Sequence, residues 1–358
     1  MTSAEIANIR LHNQQITGTK FKTVKEIVGW MGAMQAQDYA MSKWSVGVRL
    51  PNSTDLQIEE AIDKAEIIRT HLMRPTWHLV SADDIYWMLD LTAPQIKPIL
   101  NSRNKELELS EAIYTKCNNL IEKALASEKH LTRDELIVHL EKAKIVTDNN
   151  RASHIIMRAE LDGIVCNGFT KNKKQTYALL NERVSKTITL VREEALAKLA
   201  NCYFSSHSPA TLKDFVWWSG LSVKDAKSAL EMVKTNFISE TINSEVYWCT
   251  NSFSLPKSKP LSFYLLPAFD EFIISYKNRN DSLSKEYQPH VVTNNGIFKP
   301  TIVVNGQVVG IWKRTIKKDT VIIETDFFEQ QPKSIKSLIG KAAEAVGTFL
   351  NKKIELAN

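Results

Sequence analysis

Apolar residues recur every three or four positions through most of the first 235 residues, and residues that can cap a helix precede many of these runs. Each cap is a Ser or Thr followed three residues later by Asp or Glu, and the caps begin at Thr23, Ser81, Thr132, Thr211 and Ser222. In this arrangement, side-chain oxygens accept hydrogen bonds from the otherwise unpaired backbone N–H groups of the first helical turn. The pattern predicts that helices of about 10–14 residues dominate this part of the chain.

The middle of the chain carries the clearest supersecondary pattern. One helix is predicted to begin at Thr132 and a second to run from Arg151 to Asp162. Runs rich in β-branched and aromatic residues then predict two strands, at 164–167 and 176–179, around a basic tip at 168–174. Two helices followed by a hairpin with a cationic tip are typical of a winged helix-turn-helix unit.

The same plan recurs on both sides of this unit. The downstream elements are predicted helices that end at Gly220 and span Val223 to Lys234, with strands at 238–242 and 246–249. The upstream elements are predicted helices at Val24–Met34 and Leu56–Lys64, and a hairpin with strands at 67–72 and 77–80 that turns at Arg74-Pro75-Thr76. We therefore predict three winged-helix units in series, over residues 1–110, 111–185 and 186–256.

The pattern changes to strands after Pro256. Strands are predicted at 261–266, 272–276 and 321–325, and a helix from Ser334 to Leu350 closes the chain. Asn305-Gly306, between two apolar runs, predicts a hairpin with a tight type I′ turn. The predicted fold is α+β and helix-rich, with tandem winged helices followed by a β-rich, barrel-like domain over residues 257–358.

Composition excludes several classes of protein. The 358 residues are 43% hydrophobic and 24% charged, without an apolar run of the length of a membrane span or an N-terminal signal pattern. We therefore expect a cytoplasmic protein without a membrane partner. The four cysteines are scattered, which predicts reduced thiols, no metal site and no disulfide framework. The net charge of +6 is compatible with nucleic-acid binding but does not require it.

Sequence motifs for common cofactor chemistry are absent. The chain contains no GxxxxGK[ST], no GxGxxG after a strand, no HExxH and no GxSxG. ATP hydrolysis, dinucleotide chemistry, zinc proteolysis and serine hydrolysis therefore have no support. We expect no cofactor and no bound nucleotide.

Basic residues at predicted loops are candidates for contact with phosphates, although such residues are also common on solvated surfaces. They form the clusters Lys171/Lys173/Lys174, Lys313/Arg314/Lys317/Lys318 and Lys277/Arg279. In the first hairpin, His71 and His78 lie near Arg69 and Arg74 in the sequence, where they either line a cleft or are structural histidines. Trp217-Trp218 reads as core rather than as a stacking platform.

Gln35-Ala36-Gln37 places two amides two residues apart, where the helical pattern stops. Residues at this spacing share a face only on an extended backbone, so a site that uses both must lie at or beyond the helix end. Amides do not exchange protons at neutral pH, but they hold water and ligand edges by hydrogen bonds. Considered alone, the pair favours the simpler interpretation of polar residues that cap carbonyls at a helix C-terminus.

Five segments in order along the chain resemble the AlkZ-like family of winged-helix DNA glycosylases. They are Trp30–Asp38, Arg69–Val80, Ser208–Leu221, Leu265–Phe272 and Val304–Trp312. The resemblance implies tandem winged helices around a basic concave surface for double-stranded DNA. It also implies that the family's Gln-apolar-Gln catalytic motif falls on Gln35 and Gln37; other members carry Asp at the second position. Pro75 stands where the resemblance leads us to expect Gly.

From this resemblance we expect a DNA glycosylase that releases alkylated or crosslinked purines, with water positioned by Gln35 and Gln37. We expect DNA contacts from Arg69, Arg74, His78, Lys171, Lys173, Lys174, Lys313 and Arg314, and a monomeric protein. Two alternatives stay open at the level of sequence. One is a non-catalytic DNA-binding protein or transcriptional regulator, and the other is a protein-interaction module, because winged helices also bind proteins.

Overall fold

The computed structural model describes residues 1–186, 189–250 and 261–357, and it shows an α+β fold. Within these ranges no helix is long and apolar enough to cross a membrane. Four sheets are present in the described chain, three of three strands and one of five. The predicted boundary at residues 256 and 257 lies outside the described residues.

The first part of the chain forms a helical layer around a three-stranded sheet of order β1–β3–β2. Its elements are α1 (Ser3–Asn13), α2 (Val24–Met31), β1 (Ala33–Gln35), α3 (Tyr39–Gly47), α4 (Asp55–Asp63), β2 (Ile67–Leu72), β3 (Arg74–Ser81), α5 (Ile85–Ile99) and α6 (Asn101–Glu106).

Two further parts follow with the same order of elements. The second contains α7 (Glu111–Glu128), β4 (Leu131–Thr132), α8 (Arg133–Lys142), α9 (Arg151–Leu161), β5 (Val165–Asn167), β6 (Thr176–Leu179) and α10 (Leu180–Arg183). The third contains α11 (Arg192–Ser206), β7 (Ala210–Thr211), α12 (Leu212–Ser219), α13 (Val223–Val233), a short 3-10 turn, β8 (Phe237–Ile242) and β9 (Glu245–Thr250). Their sheets have the orders β4–β6–β5 and β7–β9–β8, so in all three sheets the last strand lies in the middle.

Most predicted helix starts are confirmed. Thr23, Thr132 and Thr211 each form a full capping box, and the Ser222 side chain accepts the N–H of Asp225. The start predicted at Ser81 is wrong, because Ser81 ends β3 and α5 begins only at Ile85.

The connection between the first short strand and the next helix differs in the first part of the chain. Thr132 and Thr211 each end a strand and cap the following helix directly. In the first part, three residues separate β1 from α3, and Asp38 is the cap, since its side chain accepts the N–H of Met41. Gln37 lies in this insertion.

The hairpin of β2 and β3 turns one residue earlier than predicted. Met73, with φ of 60°, forms the tip, so Arg74, Pro75 and Thr76 belong to β3 rather than to the turn. Pro75 lies beyond the part of β3 that pairs with β1, where its missing N–H costs no ladder bond. The helix predicted to Met34 also ends earlier, at Met31, because Gly32 takes φ of 75°.

The C-terminal part is a five-stranded sheet of order β10–β11–β12–β13–β14, and one long helix between the last two strands packs against it. Its elements are β10 (Phe263–Leu266), α14 (Glu271–Ile274), α15 (Gln288–Val291), β11 (Thr301–Val304), β12 (Gln307–Ile316), β13 (Thr320–Phe327), α16 (Lys333–Leu350) and β14 (Lys353–Leu356). Asn305 and Gly306 have φ of 49° and 82°, as the predicted type I′ turn requires. The strand predicted at 272–276 is wrong, because Asp270 accepts the N–H of Phe272 and starts the short helix α14.

The C-terminal sheet shares its buried core with the start of the chain. Met34 and Trp44 belong to the same apolar cluster as Ile302 and Trp312. The Trp44 indole N–H also donates to the carbonyl oxygen of Leu265 at 2.8 Å. This shared packing brings the segment before α14 against β1 and α3.

Candidate active site

The backbone of Gln35-Ala36-Gln37 is fixed by three neighbouring elements. The Gln35 N–H donates to Glu271 Oε1 at 2.6 Å, and the Ala36 N–H donates to the Trp77 carbonyl oxygen at 2.7 Å. The Ala36 carbonyl oxygen accepts from Arg69 Nε at 3.1 Å and Nη2 at 2.9 Å. The motif therefore begins at the last residue of β1 and continues into the restrained connection to α3, rather than lying at a helix terminus.

The two glutamine side chains have different environments. Gln35 is only 5% exposed, and its Oε1 accepts from Arg74 Nη2 at 2.8 Å. Gln37 is exposed, and its amide makes no hydrogen bond to the residues that the structure describes. One amide is therefore held in place, while the other is free to bind a solvent molecule or substrate.

Glu271, which accepts the hydrogen bond from the Gln35 backbone N–H, is a buried carboxylate. Its Oε2 accepts from the Trp218 indole N–H at 3.2 Å and from the Ser275 hydroxyl, and His207 lies close by. Burial opposes its ionisation, but the neighbouring His207 and hydrogen bonds from Ser275 and the Gln35 N–H outweigh that effect and lower the pKa of Glu271 to about 2. Glu271 is thus ionised and fully engaged. The sequence signal for it, an acidic pair within the apolar run 265–274, carried no role until the fold placed it beside Gln35.

Arg74 and Arg69 both support the motif from the β2–β3 hairpin. Arg74 is half-buried, and its Nη1 donates to the Trp217 carbonyl oxygen at 3.4 Å. Arg69 is 8% exposed and lies 4.5 Å from the Trp77 ring centre. Burial lowers the pKa of each guanidinium, but arginine stays charged at neutral pH. The expected contact of Arg69 with DNA is not supported, because its guanidinium is enclosed and bound to Ala36.

The two histidines of the hairpin are structural. His71 is buried and pairs with Glu160. His78 is fully buried, and its Nδ1 lies 3.0 Å from the Thr76 carbonyl oxygen. Burial, assisted by Arg74, lowers the pKa of His78 to about 3, so its ring is neutral. No part of His78 reaches the surface, and the expected contact of His78 with DNA stays a prediction.

The lysines of the β5–β6 tip lie away from the motif. Lys171 pairs with Glu135 at 2.9 Å and Lys174 pairs with Asp134 at 3.1 Å, both at the start of α8. Lys173 is exposed at the turn. These pairs neutralise part of the tip in the free protein, and contact of these lysines with DNA stays a prediction.

The two basic residues of β12, Lys313 and Arg314, lie in different environments. Lys313 pairs with Glu324 at 2.8 Å. Arg314 is half-buried; burial lowers its pKa, and the charges of Asp38 and Asp55 oppose that shift. Since Asp38 follows Gln37 directly, Arg314 contributes positive potential beside the motif. Of the sequence-predicted basic residues, Arg69 and Arg74 contact the motif directly, and Arg314 interacts with the charge of Asp38 beside it. Lys277 and Arg279 lie over the Trp217 ring, whose carbonyl oxygen accepts from Arg74.

The site presents amides and cations to a ligand rather than groups that exchange protons at neutral pH. The described residues contain no group of His, Cys, Asp and Glu that is arranged to hold a metal ion. Glu271 lies beneath the motif backbone with both oxygens engaged. What the site offers to a ligand is two amides, one fixed and one free, beside cationic groups.

The family model of the DNA glycosylases described as AlkZ-like matches residues 28–349. The chain therefore belongs to the AlkZ-like DNA glycosylases, and its enzyme class is that of DNA glycosylases, which act in DNA repair. A curated relative, the interstrand DNA cross-link repair glycosylase of Streptomyces sahachiroi, is 21% identical over 93% of each chain. The solved structure of the Streptomyces sahachiroi DNA glycosylase AlkZ matches over 100% of both chains with a TM-score of 0.82 and 17% identity. That structural likeness confirms the α+β fold expected from the sequence.

Proposed function

We propose that this chain binds duplex DNA and hydrolyses the N-glycosidic bond of alkylated or crosslinked purines, with the attacking water positioned by Gln35 and Gln37. The observation that carries the proposal is the restrained backbone of the Gln-Ala-Gln segment, which presents one fixed and one free amide. A crosslinked substrate is supported by the similarity to the interstrand DNA cross-link repair glycosylase of Streptomyces sahachiroi.

The chemistry of the lesion suits a site built on amides. A purine alkylated at N7 or N3 carries a positive charge, so it leaves without protonation by a general acid. Neutral glycosides, in contrast, need the carboxylic acid of a two-carboxylate site. What the enzyme must supply is a placed water and oriented dipoles for the charge that develops on the sugar. Such a site cleaves destabilised bonds and spares intact purines.

Duplex binding is supported by the repeated order of elements. In each of the first three parts of the chain, two helices precede a hairpin whose last strand pairs with a short strand from before those helices. This is the arrangement of a winged helix-turn-helix unit, whose helices and hairpin contact DNA grooves and phosphates in other proteins. We assign winged-helix units to residues 1–110, 111–185 and 186–256, with Arg74, Lys173 and Arg314 among the DNA-facing cations.

The proposal is tested on a duplex that carries a single nitrogen-mustard crosslink between guanines. The wild-type protein is expected to break the glycosidic bond of the crosslinked guanine. After treatment that cleaves the resulting abasic site, a denaturing gel should then show single strands instead of the crosslinked duplex. The Gln35→Ala/Gln37→Ala double variant should bind the same duplex with similar affinity but leave it crosslinked. Equal strand separation by both proteins would contradict a role for the glutamines.

A further inference from the structure

The contact between Gln35 and Arg74 determines which end of the Gln35 amide is available to a ligand. Arg74 Nη2 lies 2.8 Å from Gln35 Oε1. A guanidinium has five N–H donors and no acceptor, so the amide nitrogen cannot take the place of the oxygen at this contact. The orientation therefore follows from the chemistry of the two groups, and the Nε2 donors of Gln35 point away from Arg74.

The surroundings of Gln35 maintain this orientation. Gln35 lies directly opposite His78 in the β1–β3 ladder, and Arg74 begins β3, four residues before His78. The guanidinium is fixed on its other side by the Trp217 carbonyl oxygen. With only 5% of Gln35 exposed, solvent does not readily replace Arg74 as the partner of the amide oxygen.

Gln37 has no comparable restraint. It is exposed in the insertion between β1 and α3, and its amide has no hydrogen-bond partner among the described residues. The amide is free to rotate, so its oxygen is available to accept a hydrogen bond from a water molecule. The two glutamines therefore differ in the hydrogen-bonding group that each can offer.

We propose that Arg74 is a positioning residue that makes Gln35 a hydrogen-bond donor to the leaving purine, whereas Gln37 supplies the oxygen that accepts from the attacking water. The inference rests on the proposed hydrolysis of a glycosidic bond and refines it, because the placement of the water passes from both glutamines to Gln37. The water oxygen bonds to C1′, the bond from C1′ to the purine nitrogen breaks, and its electron pair stays on the base. The water proton passes to solvent, because an amide does not hold it at neutral pH.

The donor role of Gln35 has a specific electrostatic benefit. As the glycosidic bond breaks, the acceptor atoms of the purine gain electron density, and an N–H aimed at one of them stabilises the transition state. The positive charge of Arg74 polarises the amide through its oxygen and strengthens the opposite N–H groups. An amide with its oxygen facing the base would instead oppose departure.

Glutamate substitutions distinguish the two roles, because a carboxylate keeps the shape and the acceptors of glutamine but cannot donate. We measure the single-turnover rate of free base release from a duplex with one 7-methylguanine, at pH 7.5 and saturating protein. Gln35→Glu is expected to react at least ten-fold more slowly than Gln37→Glu, with the fold kept by its ion pair with Arg74. Gln331→Glu, between β13 and α16, is the matched control for the added charge and should react like wild type. A Gln35→Glu rate equal to or above that of Gln37→Glu would overturn the inference.

The role of Arg74 is tested with a conservative pair. Arg74→Lys keeps a cationic donor near Gln35 Oε1, whereas Arg74→Met removes it and lets the amide turn. We expect kcat for Arg74→Lys to exceed that for Arg74→Met several-fold, at similar KM for DNA and similar thermal stability. Equal kcat values would exclude a positioning role.

The failure of this inference differs from the failure of the proposed function. If wild type releases base and Gln35→Ala/Gln37→Ala does not, hydrolysis by the glutamines stands whatever the order of the two glutamate variants. If wild type and the double variant release equal amounts, or neither releases any, both proposals fall.

Discussion

At the scale of single residues, side chains from other elements fix the backbone of Gln35-Ala36-Gln37 by hydrogen bonds. Glu271 fixes the Gln35 N–H, and Arg69 fixes the Ala36 carbonyl oxygen with two N–H groups. The resemblance of the sequence to a known family drew attention to Gln35 and Gln37, and their role stays a prediction. The sequence did not show that Arg69 and His78 are buried, because a charged or titratable residue in a predicted strand carries no local signal for whether the tertiary packing buries it.

Replacing Arg69 tests the backbone restraint. Arg69→Met leaves the Ala36 carbonyl oxygen without its donors, which should lower the free energy of unfolding by about 1–3 kcal/mol and slow base release. Arg69→Lys keeps one hydrogen-bond donor and the positive charge, so its free energy of unfolding and its rate of base release should fall less than those of Arg69→Met. Chemical denaturation and single-turnover kinetics check this prediction, and an Arg69→Met variant with the stability and rate of wild type would contradict it.

The buried neutral His78 makes stability depend on pH. Its pKa is lowered in the folded state to about 3, whereas a histidine in the unfolded chain titrates near 6.5. As pH falls below about 6.5 the unfolded chain binds a proton that the folded protein does not, so stability decreases towards pH 3. Between pH 7.5 and 5 this loss is about 2 kcal/mol, at 1.36 kcal/mol for each pH unit below the unfolded value.

Urea unfolding at pH 7.5 and pH 5 measures this effect. Between pH 7.5 and pH 5, the free energy of unfolding of His78→Asn should decrease by about 2 kcal/mol less than that of the wild-type protein. His290→Asn, at an exposed histidine on α15, is the control and should keep the wild-type dependence. An unchanged pH dependence in His78→Asn would show that His78 is not neutral when folded.

At the scale of elements, the site depends on how connections differ among three similar parts of the chain. The first part has extra residues between its short strand and the next helix, and Gln37 lies there. Many of the helices, the hairpins and the Asn305-Gly306 turn were predictable, since capping residues and turn residues act locally, whereas α3 was not predicted. The short strands β1, β4 and β7 were missed, because strands of two or three residues have no periodicity to read.

Gly220, in the third part of the chain, packs closely against the turn of the β2–β3 hairpin. It ends α12 with φ of 69°, and a Cβ there would lie 2.5 Å from the Met73 carbonyl oxygen. Gly220→Ala should therefore displace the β2–β3 turn and Arg74 with it, and lower both thermal stability and base release. Gly340→Ala, where nothing lies within 4 Å, should be neutral or stabilise α16. Wild-type behaviour of Gly220→Ala would show that this close approach is not needed.

At the scale of the whole molecule, the site is assembled from distant parts of the chain. Asp270 binds Arg49 through two contacts of 2.8 Å in the core, and the adjacent Glu271 binds Gln35. Two neighbouring acids of the C-terminal part thus hold both ends of the segment from β1 to the end of α3. No local pattern predicts such a contact, because its partners are more than 200 positions apart.

Duplex binding should depend on salt, as expected for contacts with phosphates. Because Lys171 and Lys174 are paired with acids in the free protein, Lys173 is the cation of this tip with the most to gain from DNA. Lys173→Ala should reduce the slope of log Kd against log salt concentration by about 1, as for one lost phosphate contact. Lys336→Ala on the exposed side of α16 should leave it unchanged. An unchanged slope for Lys173→Ala would place this tip outside the DNA-binding surface.

The most direct test of the central claim is release of free base from methylated duplex DNA by wild type and by Gln35→Ala/Gln37→Ala. The reaction is run at saturating protein, so that differences in binding do not enter, and the released purine is identified by mass. We predict that wild type releases 7-methylguanine and that the double variant, folded and bound to the same DNA, releases no more than the protein-free control. Equal release by the two proteins would contradict catalysis by the two glutamines.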